Sequence, residues 1–289
     1  MLLTPRDAEI VRLVARHRFL RSTHIISLAG GSPQQLLRRM QLLFHHGYLE
    51  RPRAQLDYFY QGGSKAMVYG LGKEGGAVLH SKPTPERQRR PHNPSSIGRV
   101  FLNHALMVAD VMVAIELACR RHGGIRLLTG DGIPLPAKSK TRIEPFHWSV
   151  QLADRTKLGV IPDSVFVLEF GDQPNERDRI LYFLEADRAT MPVARPNLAR
   201  SSFRRKLVAY EATWAQSLHQ SRFGFLRFRV FTVTTSAARV ASLAAACGQL
   251  SRGRGLFLFT DIASLSARAD LLTLPFQSGH AGKVATLLD

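Results

Sequence analysis

The sequence predicts an α/β protein in two domains, and three observations carry that reading. Residues 1–80 hold three helix patterns followed by two short strand patterns. Residues 81–98, SKPTPERQRRPHNPSSIG, are rich in Pro, Arg and Ser, lack periodicity and read as a linker. Residues 99–289 alternate apolar strand runs with helical patterns, the mark of a mixed sheet flanked by helices. With 289 residues and 45% hydrophobic content, the chain has room for two modest cores.

The first helix is expected at about 5–16. Thr4 can cap it, Pro5 suits its first turn, Asp7 favours its positive end, and Ile10, Val11, Leu13 and Val14 supply an apolar stripe. A second, short helix fits Ser22 to Leu28, and Gly30-Gly31 ends it. Ser32-Pro33-Gln34-Gln35 repeats the start signal, with Ser32 as cap and Gln35 as its capping-box partner. The third helix then runs to about His46, with Leu36, Leu37, Met40, Leu43 and Phe44 inward and Gln34, Gln35, Arg38, Arg39 and Gln41 largely outward. After Gly47, YLERP and AMVYGLG read as two strands around the loop RAQLDYFYQGGSK, residues 53–65. Three helices and a two-stranded ribbon make the winged helix-turn-helix plan. A third helix carrying Arg and Gln outward suits a major groove, where Arg prefers guanine and Gln adenine. The candidate DNA-binding residues are therefore Gln34, Gln35, Arg38 and Arg39 on the helix, with Arg53 and Lys65 on the wing.

Charge agrees with that partner. The chain carries 40 Lys and Arg against 22 Asp and Glu, a net +18, and residues 1–100 hold 16 basic and 6 acidic residues of that total. No apolar run reads as long enough to span a bilayer, and MLLTPRDAEI lacks the basic-then-apolar order of a signal peptide. The expectation is a cytoplasmic protein with no membrane partner. Cys119 and Cys247 cannot make a zinc site by themselves and read as small buried hydrophobes. The glycine-rich stretch from Gly70 to Gly76 lacks the strand-to-helix context of a nucleotide loop, and no Ser-His-Asp set can be assembled by spacing, with His104 and His147 reading as core or hydrogen-bonded residues.

Beyond the linker, residues 99–124 form one long apolar helix that must pack on a sheet. Strands are expected at IRLLTG, LGVIPDSVFVLE (158–169), ILYFLEA (180–186), FLRFRVFTVTT and GLFLFTD, and helices at 202–218 and 236–250. The polar turn GDQPNERDR joins the second and third strands into a hairpin. If it centres near Pro174 and Asn175, Asp163 falls opposite Ala186, with Glu185 and Asp187 on one face. Carboxylates this close repel unless a cation sits between them, and hard oxygen ligands suit Mg²⁺ or Mn²⁺. The metal candidates are Asp163, Glu185 and Asp187; ion pairing of the same acids with Arg179, Arg188, Arg204 and Arg205 is the alternative.

Pro162-Asp163 opening one strand and Glu185-x-Asp187 closing the next resembles the PD-(D/E)xK nuclease superfamily, over roughly residues 98–262. The resemblance implies that Asp163 and Glu185 hold Mg²⁺ while a lysine two residues after the Glu orients the attacking water. Here that position is Asp187, and relatives that move the lysine to the next helix point to Lys206, beside an inner stripe of Leu207, Tyr210 and Trp214. Glu116 stands where several members supply an extra carboxylate. The catalytic candidates are Asp163, Glu185, Asp187 and Lys206. Taken whole, the first domain, the linker and the runs YFLEADRAT and FRRKLVAY resemble the replication-relaxation family of bacterial plasmid and mobile-element proteins. That implies a role in replication or relaxation of plasmid DNA, or in control of an integrated element. The partners expected are double-stranded DNA and, among proteins, a second copy of the chain or replication and mobilisation proteins. Three functions stay open: a metal-dependent endonuclease or nickase, a non-catalytic DNA-binding protein with a degenerate nuclease-like domain, and a transcriptional regulator.

Overall fold

The computed structural model describes residues 2–56, 65–79, 97–266 and 270–289. It divides into two compact units, Met1–Leu117 and Ala118–Asp289. The first holds α1 (Pro5–His17), β1 (Phe19–Arg21), α2 (Ser22–Ala29), α3 (Pro33–His45), β2 (Leu49–Glu50), β3 (Val68–Leu71), α4 (Lys73–Leu79) and most of α5 (Arg99–Arg121). Most of the expected linker, its residues 81–96, lies outside the described residues. The units part within α5, later than composition suggests, because Ala109 and Val113 bury themselves in the core formed by Ile10, Val14, Leu20, Ile25, Met40 and Leu43. Glu116 likewise belongs to this unit, receiving Arg16 at 2.7 Å and His17 at 3.3 Å.

Thr4 and Asp7 make a reciprocal capping box on α1: the Asp7 amide donates to Thr4 Oγ1 at 3.2 Å and the Thr4 amide to Asp7 Oδ2 at 2.8 Å. Ser32 Oγ accepts from the Gln35 amide at the start of α3. The ribbon is a three-stranded antiparallel sheet in the order β1-β3-β2, with Leu20 opposite Tyr69 and Leu49 opposite Leu71. β1 is too short to carry a period of two, so the sequence gives no sign of it. The glycine-rich stretch has a packing role: a Cβ on Gly72 would lie 2.2 Å from the Gly47 carbonyl oxygen, and one on Gly75 would lie 2.2 Å from that of Tyr48. Leu37, expected inward, is exposed.

Helix α5 corrects one expectation: with 23 residues it is long and apolar enough, by length and composition, to cross a membrane. Half of its most apolar window is buried.

The second unit continues with β4 (Ile125–Thr129), α6 (Ala137–Lys140), β5 (Trp148–Gln151), β6 (Lys157–Val160), β7 (Ser164–Phe170), β8 (Arg179–Ala186), α7 (Phe203–Ala215), α8 (Leu218–Ser221), β9 (Phe228–Thr234), α9 (Ala237–Gly248), β10 (Phe257–Asp261), α10 (Ile262–Ser266), β11 (Phe276–Ser278) and β12 (Val284–Ala285). Seven strands form a mixed sheet in the order β12-β11-β10-β9-β8-β7-β4. β8, β9 and β10 are parallel neighbours joined by crossovers through α7 and α9, which cover one face. There Phe203, Leu207 and Tyr210 of α7 and Val240 and Leu243 of α9 pack on Leu181, Phe183, Val230 and Phe259. β8 is buried along nearly its whole length, since Tyr182 stacks on Phe166 of β7 across the opposite face at 4.8 Å. The long apolar run at 158–169 is two strands, not one. Chain direction breaks at Ile161-Pro162-Asp163, and β6 pairs with β5 in a separate ribbon whose Trp148 donates to Thr213 Oγ1 at 2.9 Å. Trp214, expected on the inner stripe of α7, is 39% exposed.

Arg39 also departs from expectation. Its guanidinium donates to both oxygens of Asp7, the Nε contact being 2.8 Å, and so ties α3 to the first turn of α1. The Asp7 side chain is fully buried and that of Arg39 only 30% exposed. Burial pushes the Asp7 carboxyl up, but Arg39 and the Thr4 donors together hold it below its ordinary value of 3.8. Because the folded value is lowered, the stabilisation is present above pH 3.8 and is lost as pH falls through the lowered value. Arg39→Ala leaves a buried carboxylate without its cation and should cost about 3 kcal/mol, read by urea unfolding at pH 7. Arg38→Ala, one residue away and exposed, should stay within about 0.5 kcal/mol of wild type.

Candidate functional site

β7 and β8 bring the second unit's acids together. The observed register sets Ser164 opposite Leu184. Asp163 therefore falls beside Glu185, one residue from the expected pairing with Ala186, because the turn centres at Pro174. Its amide donates to the Leu184 carbonyl at 3.0 Å, and its Oδ2 accepts the Ala186 amide at 2.8 Å. The carboxylate thus serves as the last rung of the ladder where Pro162 has broken the strand.

Glu185 and Asp187 share the face covered by α7 and α9, as a period of two requires. Glu185 is 1% exposed. Its Oε2 receives Lys206 Nζ, and its Oε1 accepts the Tyr210 hydroxyl at 2.6 Å. Lys206 and Tyr210 are four residues apart on α7, so both reach one carboxylate. Asp187 accepts Arg239 Nε at 2.8 Å, Arg239 Nη2 at 3.2 Å, Thr234 Oγ1 at 2.8 Å and the Ala189 amide at 3.3 Å. Arg239 donates besides to the Met191 carbonyl at 2.6 Å. Asp187 therefore fastens the end of β8 to β9 and to the start of α9. Thr232, the neighbour of Glu185 in the β8–β9 register, buries a hydroxyl oxygen with no hydrogen-bond partner among the described residues.

Lys206 holds Glu185 and Arg239 holds Asp187. Of the arginines expected to pair with them, Arg179 bonds Glu169 instead and Arg205 donates to the Ala199 carbonyl. Arg239 lies 52 residues beyond Asp187, and only the crossover through β9 brings it back, so proximity in sequence could not have found it. A capped helix start carrying an arginine next to a buried strand end is the signal that was present.

Electrostatics follow from this packing. Burial pushes the Glu185 carboxyl up to about 7, with Lys206 pulling it down and Asp163 pushing it further up. Burial works against the charge on Lys206, but Glu185, Asp163 and Asp187 together raise it above its ordinary value. The ammonium therefore stays charged at neutral pH. In this arrangement both Glu185 oxygens and both Asp187 oxygens accept donors, and Lys206 Nζ supplies a positive charge where a divalent ion was expected. Among the described residues no group of three His, Cys, Asp or Glu side chains has metal-holding geometry.

Of the candidates in the first unit, Gln34, Gln35 and Arg38 lie exposed on α3, and Arg38 has no ion pair among the described residues. Arg53 is exposed at the start of a single 3₁₀ turn, Arg53–Gln55, and Lys65 is exposed ahead of β3. Gln55 fixes this segment, its Nε2 donating to the Val68 carbonyl at 3.1 Å while its Oε1 accepts the Val68 amide at 2.7 Å. Residues 57–64 of the expected wing lie outside the described residues.

The raised carboxyl gives a signed pH dependence. The folded state favours the protonated form of Glu185, so its contribution is greatest below pH 4.5 and is lost as pH rises to about 7. Urea unfolding of wild type at pH 5 and pH 7.5 should show that loss. Glu185→Gln should flatten it, whereas a rise in stability over the same interval would mean that attraction to Lys206 outweighs burial.

A model of the replication-relaxation family matches residues 11–227, which covers most of both units. Comparison with curated proteins and with solved structures gave no match. The chain belongs to the replication-relaxation family, a membership that suggests a role in plasmid or mobile-element replication or relaxation and interaction with DNA or replication proteins.

Proposed function

We propose that the protein binds double-stranded DNA through its first unit, used as a winged helix-turn-helix, and that its second unit is a PD-(D/E)xK-like domain whose acidic centre is neutralised from within. The observation that carries this reading is the split between neighbouring arginines on α3. Arg39 is consumed by Asp7, while Arg38 stands exposed and unpaired among the described residues beside exposed Gln34 and Gln35. A helix that spends one arginine on its own fold and leaves a polar, cationic face outward suits a major groove. Arg53 and Lys65 flank the wing segment and would meet phosphates.

Arg38→Glu should weaken binding of the full chain to duplex DNA, and the wild-type affinity should fall steeply with salt, at about 0.9 in log–log slope per phosphate contact. Unchanged affinity and slope in Arg38→Glu, measured by fluorescence anisotropy, would remove α3 from the interface.

A second reading, Mg²⁺- or Mn²⁺-dependent nicking, is favoured by one observation. Asp163 is only half-buried and Lys206 keeps 32% of its side chain exposed, so the acidic edge is open to solvent. The chain's own cations occupy the acids, and the expectation is no conversion of supercoiled plasmid with either metal. Nicking that disappears in Glu185→Ala would replace the first reading of the second unit with this one.

A further inference from the structure

We propose that a groove of about 400 Å³ in the second unit, at the end of α7, binds single-stranded nucleic acid, stacking one base on Trp214 and holding a backbone phosphate with Arg252. The groove is walled by the last turn of α7, the segment that follows α9 and the turn between β11 and β12. Trp214, Arg252, Gly253, Arg254, Gly255 and His280 supply its chemistry. It lies in a different unit from α3 and does not depend on the reading of that helix.

Its rim is built in advance of any ligand. Glu211 Oε1 accepts both Ser251 Oγ at 2.8 Å and the Arg252 amide at 3.0 Å, which fixes the segment ahead of the guanidinium. Gly253 takes φ +68°, a left-handed conformation that favours glycine. Arg254 Nε donates to the Leu250 carbonyl at 2.8 Å. A Cβ on Gly279 would lie 2.3 Å from the Arg254 carbonyl oxygen, so the β11–β12 turn and this segment are pressed together at backbone distance. A Cβ on Gly255 would sit 3.4 Å from His280 Nε2, which sets the histidine against the same wall. Arg252 is left exposed with no ion pair among the described residues, and the indole of Trp214 stands exposed at the same edge.

An exposed indole, together with an exposed arginine that has no ion pair among the described residues, is the pairing that single strands need. The ring takes a base face, which every base offers, and the cation takes the adjoining phosphate. A duplex hides those faces in its stack. An acidic peptide would use the arginine and leave the indole idle.

The test uses the full chain. Trp148→Phe makes Trp214 the sole tryptophan of the two in the sequence, and its fluorescence is followed while an oligothymidylate of about 12 nucleotides, within the span of known single-strand sites, is added. Quenching is expected, with a much smaller effect from an abasic strand of equal length or from inorganic phosphate. In parallel, anisotropy of a labelled strand on the chain with both tryptophans otherwise native should show binding weakened about fivefold to a hundredfold by Trp214→Ala and also weakened by Arg252→Glu. Arg38→Glu should leave the Trp214 signal unchanged even if it abolishes duplex binding. Equal binding by Trp214→Ala and wild type, or equal quenching by the abasic strand, would overturn the groove. Loss of single-strand binding in Arg38→Glu but not in Trp214→Ala would overturn it too and assign single strands to the first unit.

Discussion

A carboxylate buried at the end of a central strand has to be matched by a proton or a cation, and Glu185 imposes that condition on the second unit. β8 is flanked by β7 and β9 and buried along nearly its whole length, so solvent cannot supply the match. It comes from the helix that follows, through Lys206 and Tyr210 on one face of α7. The same helix packs on the sheet through Leu207, which shares a core with Phe183, so polar and apolar contacts seat α7 together. Asp187 repeats the arrangement with α9 through Arg239. Each crossover helix is thus seated at its N-terminal end by an ion pair and along its length by apolar packing.

The first unit uses the same device, and this changes what net charge means. Arg39 is spent on Asp7, Arg16 on Glu116 and Arg21 on Asp110. These arginines count toward the basic surplus without being offered to a partner. The surface available to an anion is set by the residues left over, Arg38 among them, and neighbours in sequence can fall on opposite sides of that division.

Elements with a strong period were legible. α1, α3, α7 and α9 follow from caps and apolar stripes, and β7 and β8 from runs rich in branched and aromatic residues. β1 and β12 were not, since two or three residues cannot show alternation. The break at Pro162 was written in the sequence, yet the apolar run on both sides of it reads as one strand until β5 claims Lys157–Val160. For the site, Glu185 and Lys206 were legible because α7 is the next regular element after β8 and helical spacing sets Lys206 and Tyr210 on one face. Arg239 was not, because its nearness to Asp187 depends on where β9 lies in the sheet. A helical period also assigns a face without saying what the neighbouring helix presents there, and so Arg39 reads as outward until Asp7 is seen beneath it.

Lys206 and Arg239 are not equivalent as partners of the acidic centre, and the difference follows from their side chains. Arg239 meets Asp187 with a planar fork, has a third acceptor in the Met191 carbonyl and keeps only 14% of its side chain exposed, so several bonds would have to break together for it to leave. Lys206 is a point charge on a flexible stem, bound to Glu185 and about a third exposed. The Asp187 pair is therefore scaffold. The Glu185 pair is where the charge balance of the unit can shift, because the carboxyl left behind already has its affinity for a proton raised to about 7. Tyr210 would still donate to that carboxyl if the ammonium moved, so departure of Lys206 need not leave Glu185 both charged and without a hydrogen bond. The fold thus keeps one end of β8 rigid at Asp187 and concentrates its adjustable charge two residues earlier, on the same face.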